Sequence, residues 1–407
     1  MTETLKPDNA AQLREAILWA VDSATPLELM GAGSKRRLGK PVQAEMRLST
    51  AGLDGILFYE PEELVLSARA GTSLAVIEQA LAEKRQMLAF EPPDYGALLG
   101  AAPGQASLGG VIAANLSGSR RFRAGAARDH LLGFQAVNGR GELIKSGGRV
   151  MKNVSGYDLC KLMAGSYGTL AALSELTVKV LPVPEVTAAL VIDDISPDEA
   201  VRAMNLAAGS AADIGGACWL PEAVAERAAL GRPAGEGGPA LVIRLEGFAP
   251  SVASRLQSLA ALLGAAGPAR TLKDEAARAL WAEINHVTLL SAGPGRVLWR
   301  LRLPPASGAE VAGALAALPD HELMLDQAGG LIWLSLPEGG NDQAETVRAA
   351  LAPCGGHAAL IAAPASLRSS VPVFHPQPQP LRALSRRVKE SFDPHRILNP
   401  GRMYGGV

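Results

Sequence analysis

Glycine-dense segments constrain the fold of this chain more than any other feature of its sequence. Three of them occupy residues 31–35 (GAGSK), 107–118 (SLGGVIAANLSG) and 147–168 (GGRVMKNVSGYDLCKLMAGSYG). Because glycine has no Cβ, the main chain can approach a neighbouring group that any other residue would exclude. The sequence therefore predicts that backbone from several distant loops comes close to a bound group or to other backbone.

The size and charge of the chain narrow the class of protein. A length of 407 residues predicts two domains, or one domain with a large insertion. The formal net charge of -1, from 39 basic and 40 acidic residues, makes nucleic acid an unexpected partner. No apolar run reaches the ~20 residues that cross a bilayer, and residues 2–8 are polar. We expect a cytoplasmic protein, or one held at the inner face of a membrane through a partner.

The cysteines argue against a metal centre. Cys160, Cys218 and Cys354 are far apart and form no C-x-x-C pair, which disfavours iron–sulfur clusters and structural zinc. The sequence thus predicts no metal, and any electron carrier of this chain should be organic.

Hydrophobic periodicity in the first half predicts alternating helices and strands. Residues 8–22 are predicted to contain a helix with Asn9 as its N-cap. Thr72 is the expected N-cap of a second helix, which carries Leu74, Ile77 and Leu81. Strands are predicted over 27–30, 55–59, 64–70, 132–137, 142–146 and 173–180. Pro182 and Pro184 then mark the main domain boundary, because neither a helix nor a central strand continues through them.

The second half predicts four strand–helix units. They are strand 186–192 with helix 197–208, strand 241–246 with helix 251–263, strand 297–303 with helix 308–318, and strand 331–336 with helix 342–352. This alternation favours a sheet with helices on one face. A proline-rich linker over 372–380 and a helix over 381–392 follow.

The first glycine segment has two interpretations. Its backbone N–H groups, the Ser34 hydroxyl and the Lys35 ammonium could together replace the water around a pyrophosphate. It could also be an ordinary turn at the exit of a strand. The dinucleotide fingerprint G-x-G-x-x-G fails, because Arg36 stands where the third glycine belongs, so a nicotinamide cofactor is disfavoured.

The second and third glycine segments also carry hydrogen-bonding side chains. Residues 107–118 could let a flat ring lie against the main chain, or could serve close helix packing through Ala and Gly. Residues 147–168 mix glycine with hydroxyls and Asp158 and show little amphipathic period, which a purely structural account explains poorly.

Taken in order, these segments resemble the FAD-binding flavoproteins of the vanillyl-alcohol oxidase or p-cresol methylhydroxylase (PCMH) type. The matching motifs are G-G-x-x-x-x-N-x-x-G at 109–118, K-N-x-x-G-Y-D-L at 152–159, G-S-x-G-T-L at 165–170 and F-D-P-x-x-I-L-N-P-G at 392–401. The resemblance covers residues 5–182 and 380–403. It implies an α+β fold, with a two-subdomain PCMH-type FAD-binding domain at 1–183 and a cap domain at 184–371. The cap should contain an antiparallel sheet covered by helices on one face, and residues 372–407 should return to the FAD domain.

Within that family, the chain is most similar to the smaller FAD-binding subunits of glycolate oxidase (glycolate dehydrogenase) complexes. The motifs G-G-x-V-M-K-N-V at 147–154, S-G-x-R-R at 117–121 and R-D-H-x-L-G at 128–133 carry this similarity. The resemblance implies a larger FAD-binding subunit and an iron–sulfur subunit as partners, and a small 2-hydroxy acid such as glycolate as substrate of the complex.

The resemblance also assigns cofactor-binding positions. Gly31, Gly33, Ser34 and Lys35 would hold the pyrophosphate, and the main chain of Leu176 and Val178 would meet the adenine. Positions near the flavin ring and ribityl chain would be Ser107, Gly109, Gly110, Asn115, Ser117, Gly118, Gly156, Asp158, Gly165 and Gly168. Ala32, Leu108, Lys152, Leu159 and Asn399 complete the predicted site. The first glycine loop has no histidine, so FAD attachment should be non-covalent.

A catalytic base is not evident in the sequence. Related hydroxy-acid dehydrogenases are expected to supply it from a G-D-G-N-x-H segment, which this sequence lacks. His130 is a candidate, although a structural hydrogen bond is the simpler interpretation. Arg121, with Arg120 and Arg123, could receive an anionic substrate or a partner, or could lie on a solvated loop.

Three hypotheses for the function of the chain follow: an electron-relaying FAD subunit, a self-sufficient flavin dehydrogenase or oxidase, and a non-enzymatic scaffold that keeps the flavin fold.

Overall fold

The computed structural model describes residues 3–149, 157–232 and 237–407, and these divide between two compact units. The first unit comprises Met1–Ser117, Gly125–Val183 and Pro372–Val407, and the second comprises Gly118–Ala124 and Pro184–Val371. The short segment 118–124 therefore groups with the second unit, which no feature of the sequence predicted. Lys152 and Gly156, two predicted cofactor residues, lie outside the described residues.

Both units contain helices and strands. The helices are α1 (Ala10–Asp22), α2 (Leu74–Glu83), α3 (Leu108–Ala114), α4 (Arg121–Ala124), α5 (Ala127–His130), α6 (Leu159–Met163), α7 (Pro197–Ala208), α8 (Glu222–Ala225), α9 (Ala249–Leu262), α10 (Asp274–His286), α11 (Gly308–Leu315), α12 (Asn341–Ala349), α13 (Ala365–Ser370) and α14 (Gln379–Phe392). The strands are β1 (Glu3–Leu5), β2 (Leu27–Met30), β3 (Met46–Ser49), β4 (Ile56–Glu60), β5 (Val65–Arg69), β6 (Gln86–Met87), β7 (Leu131–Asn138), β8 (Leu143–Gly147), β9 (Ala171–Lys179), β10 (Leu181–Pro182), β11 (Val186–Asp193), β12 (Gly216–Leu220), β13 (Ala240–Gly247), β14 (Ala269–Lys273), β15 (Arg296–Arg302), β16 (Glu322–Asp326), β17 (Leu331–Pro337) and β18 (His357–Ala362).

Two larger sheets organise the first unit. The strands β1, β3 and β2 form a parallel sheet in that order, and β4, β5, β9, β7 and β8 form an antiparallel sheet. The alternation that predicted β9 is real, since Leu176 and Val178 are buried while Thr177 and Lys179 are less so. These two sheets correspond to the two subdomains that the resemblance implies.

The first helix is positioned by its cap and its apolar stripe. The Asn9 side chain accepts a hydrogen bond from the backbone N–H of Gln12 at 3.0 Å, as the sequence predicted. Leu13, Ile17 and Ala20 then form a fully buried stripe. They pack in one core cluster with residues of β2, β3, β7 and β9 and of the C-terminal segment, including Leu398.

The second helix corrects one detail of the sequence analysis. Its N-cap is Ser73, whose hydroxyl accepts from the N–H of Ala75, and not Thr72. Thr72 is buried and its hydroxyl bonds the backbone of Gly55 instead. Both residue types cap helices well, so the pattern alone could not choose between neighbours.

The second unit is built on an eight-stranded antiparallel sheet. Its strand order is β14, β11, β13, β12, β16, β17, β15 and β18. Helices α7, α9, α10, α11 and α12 contact these strands. The predicted antiparallel sheet and the α+β class are therefore confirmed, and four of the eight strands are those that the sequence analysis identified.

No helix within the described residues is long and apolar enough to cross a membrane.

Candidate functional site

A pocket in the first unit brings together residues from all three glycine segments. Its lining includes nine predicted positions: Gly31, Ala32, Gly33, Ser34, Lys35, Ser107, Gly109, Gly110 and Gly168. The first glycine segment leaves β2, the second opens α3, and the third leads into β9. Glycines that are distant in sequence, next to two strands and at the start of a helix, thus line the same pocket.

The turn over residues 31–35 exposes its backbone donors. None of the other described residues accepts a hydrogen bond from the N–H groups of residues 32–35. The carbonyls, in contrast, are used: Gly33 accepts from the N–H of Arg36 at 3.1 Å, and Lys35 accepts from the N–H of Leu38 at 3.0 Å. Because unpaired N–H groups lie on the turn that lines the pocket, it suits an anionic guest.

The Lys35 side chain adds a positive charge that can be switched by pH. Its Nζ lies 3.2 Å from the Ser34 hydroxyl and 3.7 Å from where a Cβ on Gly110 would stand. Burial lowers the pKa of Lys35 from 10.5 to about 8, although the nearby Asp94 carboxylate acts in the opposite direction. A partly desolvated ammonium gains more from an anion than one in water does.

The two adjacent glycines of α3 have different neighbours. A Cβ on Gly109 would stand 2.7 Å from the backbone oxygen of Ala70, so this glycine permits contact between α3 and the chain after β5. A Cβ on Gly110 would meet nothing closer than the Ser107 hydroxyl at 3.3 Å. Gly109 is therefore explained by packing against backbone, whereas a side chain at Gly110 would meet only the side chains of Ser107 and Lys35.

The start of α3 does not offer free amides to the pocket. The N–H groups of Leu108 and Gly109 donate to the carbonyls of Thr72 and Ala70, at 2.9 and 2.8 Å. The Gly110 N–H donates to the Ser107 cap at 3.4 Å. This segment consequently supplies a flat surface of small residues rather than hydrogen-bond donors.

Two residues of the C-terminal segment hold the pocket walls in place. Arg402 donates to the backbone oxygens of Lys35 and Arg36 at 2.9 and 3.2 Å. Asn399 accepts from the N–H of Leu29 at 2.9 Å and donates to the oxygen of Tyr167 at 2.8 Å. Asn399, a predicted cofactor residue, thus braces two walls without lining the pocket itself.

A salt bridge ties the same turn to β2. Arg36 makes two hydrogen bonds to the Glu28 carboxylate, at 2.8 and 2.6 Å. Burial disfavours the ionised form of Glu28, yet the hydrogen bonds and charge of Arg36 hold its pKa below the ordinary value. The turn is therefore fixed from two sides while its amides stay available.

Several lining residues were missed by the sequence analysis. Tyr167, Arg402, Thr50 and Leu173 all line the pocket. Tyr167 has a φ of 54°, a conformation uncommon for a non-glycine residue. Its place between two residues of the motif G-S-x-G was the one local signal, and Arg402 had none because its contacts span more than 360 residues.

The remaining predicted positions among the described residues are not part of the pocket lining. Their side chains or conformations serve local structure instead. Leu108, Leu176 and Val178 are buried in their elements, Asn115 accepts a hydrogen bond from the N–H of Arg128, and Ser117 accepts one from the N–H of Ala127. Asp158 caps α6, Leu159 begins α6, and Gly165 has a φ of 90°. Gly118 belongs to the second unit. A direct role of these residues in cofactor binding stays a prediction.

The catalytic candidates are held by protein contacts. His130 is 3% exposed and its ring lies 5.3 Å from that of Phe90. Arg121 belongs to the segment 118–124, where Arg120 pairs with Glu246 and Arg123 pairs with Asp213 at 2.7 Å, all within the second unit. These contacts favour structural roles for Arg120 and Arg123, and a catalytic role for His130 or Arg121 stays a prediction.

Metal-binding geometry is not found in the part of the chain that the structure describes. No group of three or more His, Cys, Asp or Glu side chains there could hold a metal ion.

Comparison with known proteins gives two family matches. The FAD binding domain family matches residues 3–147, and the C-terminal domain family of FAD linked oxidases matches residues 378–403. The glycolate oxidase subunit GlcE of Escherichia coli is 34% identical over 98% of this chain and 98% of its own length. The D-lactate dehydrogenase of Anaerostipes hadrus is 37% identical over 36% of this chain and 29% of its own length.

A solved structure supports the same fold. That of alkyldihydroxyacetonephosphate synthase has a TM-score of 0.70, covers 98% of this chain and 76% of its own, and is 16% identical in sequence. At that identity the likeness concerns the fold alone.

Proposed function

Since the chain belongs to the family of FAD-linked oxidases, with FAD as cofactor, we propose that it is the FAD-binding subunit of a complex that oxidises a small 2-hydroxy acid. Glycolate is the first candidate substrate, because the similarity to the glycolate oxidase subunit GlcE runs over nearly the whole of both chains. The family that the glycine motifs indicated is thereby confirmed.

The observation that carries the proposal is the row of unpaired N–H groups over residues 32–35, beside the Lys35 ammonium. A pyrophosphate needs several donors and a positive charge to replace its water, and the pocket supplies both at one turn. Gly110 lies beside that charge and has no Cβ, so the main chain of α3 can come close to a bound group there. The residues present therefore fit the pyrophosphate portion of FAD, bound non-covalently.

FAD and the residues of the chain would have different roles in the reaction. FAD, when bound, supplies the capacity to accept a hydride from the carbinol carbon of the substrate. The turn and Lys35 hold its charged portion, and Arg402 and Asn399 keep that turn in position. The sequence has no G-D-G-N-x-H segment for a base, which supports a partner subunit as its source.

The partners that this proposal implies are a larger FAD-binding subunit and an iron–sulfur subunit. Electrons would pass from the flavin to the iron–sulfur subunit, and contact with the inner face of a membrane would be through these partners. The similarity to the subunit named GlcE supports such a complex.

Purification of the chain tests the proposal in two steps. We expect a yellow protein, or a colourless one that takes up a single equivalent of FAD, and acid should release the flavin intact. Added glycolate should reduce an artificial acceptor when the two partners are present and not when the chain is alone. A chain that neither carries nor takes up FAD would contradict the cofactor site, and a fully active complex lacking this chain would contradict the assigned role.

A further inference from the structure

A second pocket lies in the first unit, at the proline-rich segment before α14. Lys40, Phe374, Gln377, Arg382, Arg386 and Tyr404 are among the residues that line it. It shares no lining residue with the glycine-turn pocket. It is therefore a separate space, which the proposed FAD site does not use.

The polar side of this second pocket is positively charged. Lys40, Arg382 and Arg386 line it, and no carboxylate among the described residues pairs with any of the three. Arg382 and Arg386 stand four residues apart on α14, so their guanidinium groups project from the same face. Like charges so placed repel each other, and an anion between them would relieve that repulsion.

The apolar side of the pocket is aromatic. The rings of Phe374 and Tyr404 are both partly buried, and their centroids lie 5.7 Å apart. The two rings are tilted by 47° to each other, so a flat ring can pack against the face of one and the edge of the other. The rings of Tyr167 and Phe374 pack in a T-shaped arrangement with their centroids 5.1 Å apart, and Tyr167 also lines the first pocket.

We propose that this second pocket binds a small molecule that combines a planar ring with a phosphate or a comparable dianion. The ring lies against Phe374 and Tyr404, and the dianion sits between Arg382 and Arg386 with Lys40 close by. This site goes beyond the proposed function, since neither its charges nor its rings belong to the FAD site.

Binding of 1-naphthyl phosphate to the full chain, saturated with FAD, tests this site. The fluorescence of the naphthyl group reports binding directly, and FAD occupies the competing anion site. We expect saturable binding that Arg382→Gln and Arg386→Gln each weaken about tenfold or more, because each removes a charge-assisted hydrogen bond. Phe374→Leu should weaken it as well, through loss of the stacking surface.

Two controls are matched to these variants. Arg387→Gln removes a charge from the same helix at an exposed position that does not line the pocket, and should leave the affinity unchanged. The neutral 1-naphthol should bind at least about tenfold more weakly than the phosphate if the arginines contribute as charge-assisted donors.

Several results would overturn the proposal. Equal affinity of the wild-type chain and Arg382→Gln, equal binding of naphthol and naphthyl phosphate, absence of saturable binding, or binding that FAD displaces would each do so. Arg382 and Arg386 are exposed, so these variants should fold. If the chain proves unable to hold FAD, the same titration without FAD still tests the second pocket, and the two failures remain distinguishable.

Discussion

The positive charge of the Lys35 side chain should make FAD binding depend on pH. Its ammonium should bind the pyrophosphate, yet burial lowers the pKa of that ammonium to about 8. A bound dianion favours the charged form, so FAD binding should take up a proton where Lys35 is partly neutral. The charge is present below pH 8 and is lost as the pH rises through that value.

The affinity for FAD should therefore fall as the pH rises from 7 to 9.5. Lys35→Met should weaken binding at pH 7 by about 1.5–3 kcal/mol, the range for a hydrogen bond to a charged group. It should also flatten the pH profile, because no group with a pKa near 8 would remain at the turn. Fluorescence titration of FAD across this range measures both effects.

Lys35→Arg is the matched control, since arginine keeps its charge at every pH in this range. It should bind FAD with a flat profile and without the loss seen for Lys35→Met. A wild-type affinity that does not change between pH 7 and 9.5 would contradict the assignment of Lys35.

Substitutions at the two neighbouring glycines of α3, Gly109 and Gly110, should affect different properties: the first should lower stability, and the second should weaken FAD binding. Gly109→Ala should destabilise the fold by about 1–3 kcal/mol, because its Cβ would stand 2.7 Å from the Ala70 oxygen. Gly110→Ala should change stability by less than about 1 kcal/mol, since the helix propensity of alanine offsets the contact of its Cβ with the Ser107 hydroxyl at 3.3 Å. It should nevertheless weaken FAD binding, because the methyl group projects beside Lys35.

Thermal unfolding and FAD titration of both variants measure this difference. Normal FAD affinity in Gly110→Ala would place the cofactor elsewhere. Unchanged thermal stability in Gly109→Ala would show that α3 is less tightly packed than its contacts indicate.

Among the elements, the segment from α14 to residue 402 is attached to the rest of the first unit by a buried ion pair. Lys389 is 1% exposed and donates to the Thr169 oxygen at 2.6 Å, the Asp393 carboxylate at 2.7 Å and the Leu398 oxygen at 2.9 Å. Asp393 in turn accepts from the N–H groups of Ile397 and Leu398. Burial lowers the pKa of Lys389, while the Asp393 charge opposes this. This buried pair links the C-terminal segment to the turn before β9.

Lys389→Met should cost about 3–5 kcal/mol of folding free energy, because Asp393 would remain buried without its cation. Arg387→Gln, an exposed change on the same helix, should stay within about 0.5 kcal/mol of the wild type. Urea unfolding of the two variants gives the comparison. Similar unfolding midpoints for both would show that the buried pair does not hold the segment.

The elements that the sequence predicted are those with a local pattern. The strand β9 was found by its alternation, and α1 by its cap and apolar stripe. The strand β12 was missed because it begins with Gly216 and Ala217, two residue types that are depleted in strands. Likewise, the turn over 31–35 was visible from its glycines, whereas Arg402 reaches it through contacts that no local pattern encodes.

At the scale of the whole molecule, the segment 118–124 interrupts the first unit and contributes to the second. Ser119 donates to the buried Asp326 at 2.8 Å, and Gln327 donates to the Gly118 oxygen at 3.3 Å. The basic residues of this segment, which the sequence left open as substrate or partner ligands, include two that pair with acids of the second unit. The second unit thus takes part of its structure from within the sequence of the first.

The bracing of the glycine turn by Asn399 and Arg402 bears on how the protein matures. The turn is synthesised some 365 residues before Asn399 and Arg402, so a nascent chain lacks these two contacts through most of its synthesis. At about 5–20 residues per second, that interval lasts on the order of 20 to 70 seconds. We therefore expect flavin loading to follow the synthesis of residue 402, which comes after the whole of 184–371 has been translated.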